Sequence, residues 1–338
     1  MTTMPEITIA GRKVGTGHAP FVIAECGIND GGDKAQSAEL VLRAKQAGCD
    51  AVKWQKHVPA ESDTRQPWQR YDTVGHAAVC AHCAGPHSIA FGCTMFHASA
   101  FGGESVDFIK IGSGEVSNHQ LVEAACKASR HRERVPVLLS TGMHTLAEID
   151  AAVAILRSHA VPFAVLECTS TYPARHGEVR LSAIAELRER YPDAVIGISD
   201  HTPDIWTALG AVALGASIVE KHFTVSRAWG GPDNPLSIEP DEMARLCTGA
   251  RAIHAAMSSG GHRVSEAEAE TAQWARSGVY AARDIPRHEF IRDHLTMRRP
   301  PVLNQPSASH LLEESIVASC DIKAGEPITY DNSEDWSV

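Results

Sequence analysis

Val195-Ile196-Gly197-Ile198-Ser199-Asp200-His201-Thr202 is an apolar run of strand length that ends beside a histidine. About twenty residues later, Ser217-Ile218-Val219-Glu220-Lys221-His222-Phe223 closes in the same way. Short unbroken apolar runs of this kind read as parallel strands buried on both faces. Each run therefore delivers a histidine to the C-terminal end of a strand. Two neutral imidazoles on neighbouring strands can hold one divalent metal and leave its other positions open to substrate. A lone histidine there would more simply be a polar cap. Two of them, each beside a charged residue at equivalent strand ends, point to a site.

Working outward, the same reading predicts further strands at 21–25, 51–55, 89–96, 107–114, 135–142 and 163–170, with these two at 195–202 and 217–224. Helical spacing fills most of the intervals, at 33–47 (Ala38, Val41, Leu42, Lys45, stopping at Gly48), 118–130, 145–158, 181–191 and 205–214. Eight strands, most of them followed by a helix, predict an α/β fold of the (β/α)8 TIM-barrel type. A doubly wound open sheet is the competing architecture, but no Gly-rich phosphate fingerprint follows the first strand. Residues 7–10 and 11–15 read as a short hairpin capping the domain. The interval from Gln55 to Ile89 breaks the pattern: it is polar, broken by Pro59, Pro67, Gly75, Gly85 and Pro86, and shows no amphipathic helix. Cys80 and Cys83 there have zinc-ligand spacing, but no second cysteine pair accompanies them, so an active-site loop with incidental cysteines is the plainer reading.

After residue 257 the composition shifts. Ser258-Ser259-Gly260-Gly261 is a flexible break and Ser265–Trp274 an acidic helical segment. Then Val279-Tyr280-Ala281-Ala282-Arg283-Asp284-Ile285-Pro286-Arg287-His288-Glu289 is echoed by Val317-Ala318-Ser319-Cys320-Asp321-Ile322-Lys323-Ala324-Gly325-Glu326. The expected organisation is a barrel over 1–257, a linker over 258–275 and a small β-rich domain over 276–338. So small a domain holds little core of its own and is expected to dock on a barrel, its own or a partner's.

The chain of 338 residues is 43% hydrophobic and 21% charged, as expected of a globular enzyme with a sizeable core. Its 31 Lys+Arg against 41 Asp+Glu give a formal charge of −10, which argues against nucleic acid or an anionic membrane as partner. No signal pattern opens the chain and no run is long enough to span a bilayer. Nine cysteines scattered through apparent strands, Cys26, Cys93 and Cys168 among them, read as reduced thiols of a cytoplasmic protein.

In a barrel of this type the site is built at the C-terminal strand ends. Those ends carry Glu25, Lys53, Gln55, Thr94, Lys110, Ser113, Glu115, Ser140, Ser170, Tyr172, Ser199, His201, Lys221 and His222. Lys53, Lys110 and Lys221 supply the local positive charge that an acidic protein needs to hold a phosphate or carboxylate. Thr94, Ser113, Ser140 and Ser199 are short donors suited to the same anion. Glu115 and Glu25 are candidates for proton handling or for orienting a water. Lys53 and Lys110 lie inside hydrophobic runs, where a charge costs several kcal/mol unless an anion accompanies it. These ends predict a metal-assisted site for an anionic substrate.

The segments Lys110-Ile111-Gly112-Ser113-Gly114-Glu115, Ser140-Thr141-Gly142-Met143, Ser199-Asp200-His201-Thr202 and Glu220-Lys221-His222-Phe223 together resemble the sialic acid synthase family, which condenses phosphoenolpyruvate with an N-acetylated hexosamine. The likeness extends over 21–29, 52–55, 168–173 and 231–233, and the tail from Arg276 resembles the family's antifreeze-like SAF domain of β-clip type. The resemblance implies a divalent metal, Mn2+ before Mg2+ or Co2+, on His201 and His222. It implies phosphoenolpyruvate on Lys53, Thr94, Lys110, Ser113, Ser140 and Ser199, with Ser170 where some members have Asn. The sugar would meet Gln55, Glu115, Tyr172 and Asp233. Arg299 matches a tail arginine that reaches the sugar across a domain-exchanged homodimer, an exchange that would stabilise the small domain. A metal-dependent aldolase using a keto acid and a silent sugar-binding homologue are the alternatives.

Three departures fall on the acceptor side. Asn29-Asp30 stands where the family has Asn-His, the region 56–88 is short, and Pro301 and Val302 replace glycines. An acceptor other than N-acetylmannosamine is therefore expected, either a different sugar or another aldehyde.

Overall fold

Eight parallel strands close into a barrel in a computed structural model that describes residues 4–56, 89–95, 106–131, 134–312 and 316–335. An antiparallel hairpin, β1 (Glu6–Ile9) and β2 (Arg12–Gly15), precedes them. The barrel strands are β3 (Phe21–Gly27), β4 (Ala51–Lys56), β5 (Ala90–Met95), β6 (Phe108–Ile111), β7 (Val137–Ser140), β8 (Phe163–Cys168), β9 (Val195–Asp200) and β10 (Ile218–His222). Each pairs with the next, and β10 closes on β3. Helices α1 (Lys34–Ala47), α2 (His119–His131), α3 (Leu146–Ser158), α4 (Ala183–Arg190), α5 (Trp206–Ala213) and α6 (Pro240–Met257) lie between or after them. Asp33 caps α1 by accepting from the amides of Ala35 and Gln36, and Gly48 ends it at φ 89°. Thr145 and Glu148 form a capping box that starts α3. Residues 57–88, with Cys80 and Cys83, lie outside the described residues, so the zinc reading does too.

Because side chains alternate along a strand, each barrel strand sends every second residue inward. One set, Val22, Ala24, Val52, Trp54, Ile109, Leu139, Val165, Ile196 and Val219 among it, packs beneath the helices. The other, Phe21, Ile23, Ala51, Ala90, Phe108, Leu138, Leu166, Val195 and Ile218, fills the barrel together with Ile7, Ile9 and Val14 of the hairpin. Phe21 and Phe108 meet edge to face inside, ring centroids 6.5 Å apart. Their bulk explains Gly92, where a Cβ would lie 2.0 Å from the Phe108 ring. Higher on the same inward rows the residues become polar: Glu25 after Ile23, Lys53 after Ala51, Thr94 after Gly92, Lys110 after Phe108, Ser140 after Leu138 and Glu220 after Ile218. The apolar plug below thus gives way to a charged floor at the C-terminal mouth.

A second unit begins at Gly260. It contains α7 (Ala269–Ala275), β11 (Gly278–Ala281), β12 (Leu295–Arg298), α8 (Ala308–Leu311), β13 (Ile316–Ala318) and β14 (Ser333–Asp335). The repeat pairs with itself. Ile285 and Ile322, equivalent in the two copies, exchange amide-to-carbonyl bonds of 2.8 Å each. Asp321 accepts from the Arg287 amide at 2.9 Å, and Asp284 accepts from the Ala324 amide at 2.8 Å. His288 and Gly325 take the same left-handed backbone, φ 68° and 87°. Val279, Ala281, Ile285, Ile291, Leu311, Ile316, Ala318, Ile322 and Ile328 form a core belonging to this unit.

Candidate active site

Four buried charges converge inside the barrel mouth. The Lys53 ammonium contacts Glu25, donates to Thr94 Oγ1 at 2.5 Å and lies 3.6 Å from Glu220. Lys110 lies 3.5 Å from the other oxygen of Glu220, which accepts from the Ser199 hydroxyl at 2.8 Å. All four are below 5% exposed. Burial opposes every one of these charges. The Glu220 carboxyl is nonetheless held at about 2, because Lys110, Lys53 and the Ser199 hydrogen bond outweigh its desolvation. Burial raises the Glu25 carboxyl against the pull of Lys53. Lys53 itself is raised, since Glu220 and Glu25 overcome its burial, while burial lowers Lys110 despite Glu220.

Around this floor stand the hydroxyls. Ser170 donates to Ser113 at 2.8 Å, and Ser140 Oγ is buried without a partner among the described residues. Gln55 donates to Glu25 at 3.2 Å. A Cβ on Gly27 (φ 50°) would come within 3.2 Å of Asp233, Glu25 and Gln55, so these three polar groups meet over that glycine. Glu115 follows β6 in a short helical turn, half-buried, and accepts from Asn118 at 2.8 Å.

The two histidines stand together, ring centroids 5.4 Å apart, with the Tyr172 ring 4.3 Å from His201 and 6.2 Å from His222. His201 Nδ1 faces the Thr169 carbonyl at 2.9 Å. A carbonyl only accepts, so Nδ1 carries the proton, and in the neutral ring Nε2 is left as a lone-pair donor. His222 Nδ1 is buried without a hydrogen-bond partner among the described residues, 3.8 Å from Asp233. Burial, then His201 and Lys53, push His222 well below the ordinary imidazole range, so it is a neutral ligand type. Burial also raises the Asp233 carboxyl. An imidazole oriented by a carbonyl beside a neutral imidazole with an orphaned nitrogen suits a divalent cation. Among the described residues no cluster of three or more His, Cys, Asp or Glu side chains is placed to hold a metal, so these two would leave most of its positions to other ligands.

Lys221 requires a correction. It alternates with Glu220 and His222 on β10, so it points outward, into the layer between strands and helices. There its buried ammonium donates to Asp200 Oδ2 at 2.9 Å and to the Thr202 carbonyl at 2.5 Å. The residue that sequence reasoning passed over is Glu220, whose place two residues before His222 puts it on the inward row. Asn29 braces the loop after β3, donating to the Phe223 carbonyl at 2.8 Å and to Ser237 at 3.0 Å. Asp30 is buried and accepts from Ser37 at 2.5 Å. Arg299 lies exposed in the second unit.

The family model described as NeuB family matches residues 75–262. An N,N'-diacetyllegionaminic acid synthase of Campylobacter jejuni is 33% identical over 313 residues, covering 83% of this chain and 90% of its own length. Human N-acetylneuraminate-9-phosphate synthase is 29% identical over 311 residues, 85% of each chain. Among solved structures, an N-acetylneuraminic acid synthetase from Leptospira borgpetersenii superposes with a TM-score of 0.71 at 31% identity, over 79% of this chain and 95% of that one. A truncated 3-deoxy-D-arabino-heptulosonate 7-phosphate synthase from Thermotoga maritima, at 14% identity and a TM-score of 0.58, shares the fold over 75% of this chain and 93% of its own. With a family model matching more than half of its length, and a barrel mouth that gathers His201, His222, Lys53 and Lys110, the chain belongs to the NeuB family of sialic-acid-type synthases.

Proposed function

We propose that the chain condenses phosphoenolpyruvate with an open-chain aldose or related aldehyde, giving a sialic-acid-like 2-keto acid and phosphate. It is a C–C bond-forming transferase, as its family relatives are. The observation that carries the reading is the placement of two buried ammonium groups, Lys53 and Lys110, in one barrel mouth with two adjacent imidazoles. The lysines, with Thr94, Ser113, Ser140, Ser170 and Ser199, would hold the phosphate and carboxylate. Gln55, Asp233 and Tyr172 would face the acceptor. Carbon 3 of phosphoenolpyruvate bonds to the aldehyde carbon, a water oxygen adds at carbon 2, and the bond from carbon 2 to the phosphate oxygen then breaks. Glu115 or Glu25 would take the proton of that water. A divalent cation on His201 and His222, Mn2+ foremost, would supply Lewis acidity toward the aldehyde oxygen.

The acceptor we propose is a sugar or aldehyde other than N-acetylmannosamine. The support is Asp30, which stands where the family has histidine and is engaged with Ser37, together with Pro301 and Val302 beyond Arg299. A panel of aldoses and aldehydes assayed for phosphate release tests this, and it also separates the synthase from an aldolase, which releases none. A clear preference for N-acetylmannosamine would refute the acceptor assignment. Arg299→Ala is expected to raise the KM of the best acceptor about tenfold or more while leaving that of phosphoenolpyruvate within about twofold. Equal rises in both would remove Arg299 from the acceptor side.

A further inference from the structure

Glu220 stands closer to the two lysines than a charge of no consequence would, yet farther than a hydrogen-bond partner. Its oxygens lie 3.5 Å from Lys110 and 3.6 Å from Lys53, while among the described residues the one hydrogen bond it accepts, at 2.8 Å, comes from Ser199. The lysine donors are directed elsewhere: Lys53 toward Glu25 and Thr94, Lys110 toward the Ile111 carbonyl at 3.3 Å. The carboxylate therefore balances both ammonium groups through its field and leaves their N–H groups to other acceptors. An anion arriving at the lysines would gain those donors, but it would also feel the negative charge of Glu220 in a pocket where little water screens it.

We propose, resting on the phosphoenolpyruvate reading above, that Glu220 is a counter-charge that limits how tightly this pocket holds phosphate. It offsets Lys53 and Lys110 and repels the same anions those lysines attract. A mouth with two lysines and no such carboxylate would retain the phosphate that each turnover releases.

Inorganic phosphate titrated calorimetrically into the full-length protein tests this. Glu220→Gln keeps an acceptor for Ser199 and removes the charge, and its phosphate Kd is expected to fall about tenfold or more. Glu220→Asp draws the carboxylate back from both ammonium groups and should shift Kd in the same direction. A purely structural role would lower thermal stability and leave phosphate affinity unchanged. An unchanged or raised Kd in the Gln variant overturns the proposal, as does the same result in the Asp variant should the Gln variant not fold. Phosphate release from phosphoenolpyruvate by the wild type is measured alongside. Turnover with no tightening in the variants sinks the counter-charge and spares the synthase, whereas tightening without any turnover does the reverse.

Discussion

Replacing His222 with alanine is expected to abolish Mn2+ binding and to cut turnover about 1000-fold or more, with the barrel intact. The imidazole sits at the end of β10, above the packed interior, so its loss opens little apolar cavity. Among the described residues its Nδ1 has no hydrogen-bond partner that alanine would leave stranded. One imidazole alone, His201, would then have to hold the cation, and a site of two protein ligands has none to spare. Calorimetry with Mn2+ reads the binding directly, and circular dichroism confirms the fold. A His222→Ala protein that still binds Mn2+ with wild-type affinity would remove the imidazole pair from the metal assignment, whatever happened to the rate.

Lys221→Met should act in the opposite sense, on the fold and not on the pocket. The Lys221 and Asp200 side chains are both 0% exposed, and the Asp200 carboxylate also takes hydrogen bonds from Thr202 and Thr207. Removing the ammonium leaves a buried carboxylate without its counter-ion, a change that costs about 3–5 kcal/mol. The double variant Lys221→Met with Asp200→Asn should recover much of that loss, because no buried charge then stands alone. Denaturant unfolding measures both, and phosphate titration should show no change in Kd for the folded single variant. Wild-type stability in the single variant, or weakened phosphate binding, would return Lys221 to the substrate side.

The contrast between these lysines shows what was legible in the sequence. The barrel could be read because buried parallel strands are continuous apolar runs, and β9 and β10 lie within 195–202 and 217–224, where the runs placed them. The pocket's membership was harder, because a run apolar on both faces hides which of its residues face inward. Period two resolves it once one inward residue is fixed: His222 inward makes Glu220 inward and Lys221 outward. Applied to Glu220-Lys221-His222, that rule would have found the carboxylate and excluded the lysine. Glu115 is beyond the reach of that rule. β6 stops at Ile111, and the Ser113–Glu115 turn carries the glutamate off the strand's inward row, where alternation no longer applies. The loop after β3 was likewise opaque, since Asn29 braces Phe223 and Ser237 across about two hundred residues of sequence.

The self-pairing of the tail repeat governs how the chain could be shortened. Each copy's aspartate satisfies the other copy's turn, and the two isoleucines at the centre bond to one another. Neither copy can therefore close its own backbone, and a stop codon inside 279–326 would leave a bare strand edge primed to stick to other molecules. Trimming is all or nothing, and the natural place to cut is the glycine pair at 260–261, ahead of both copies.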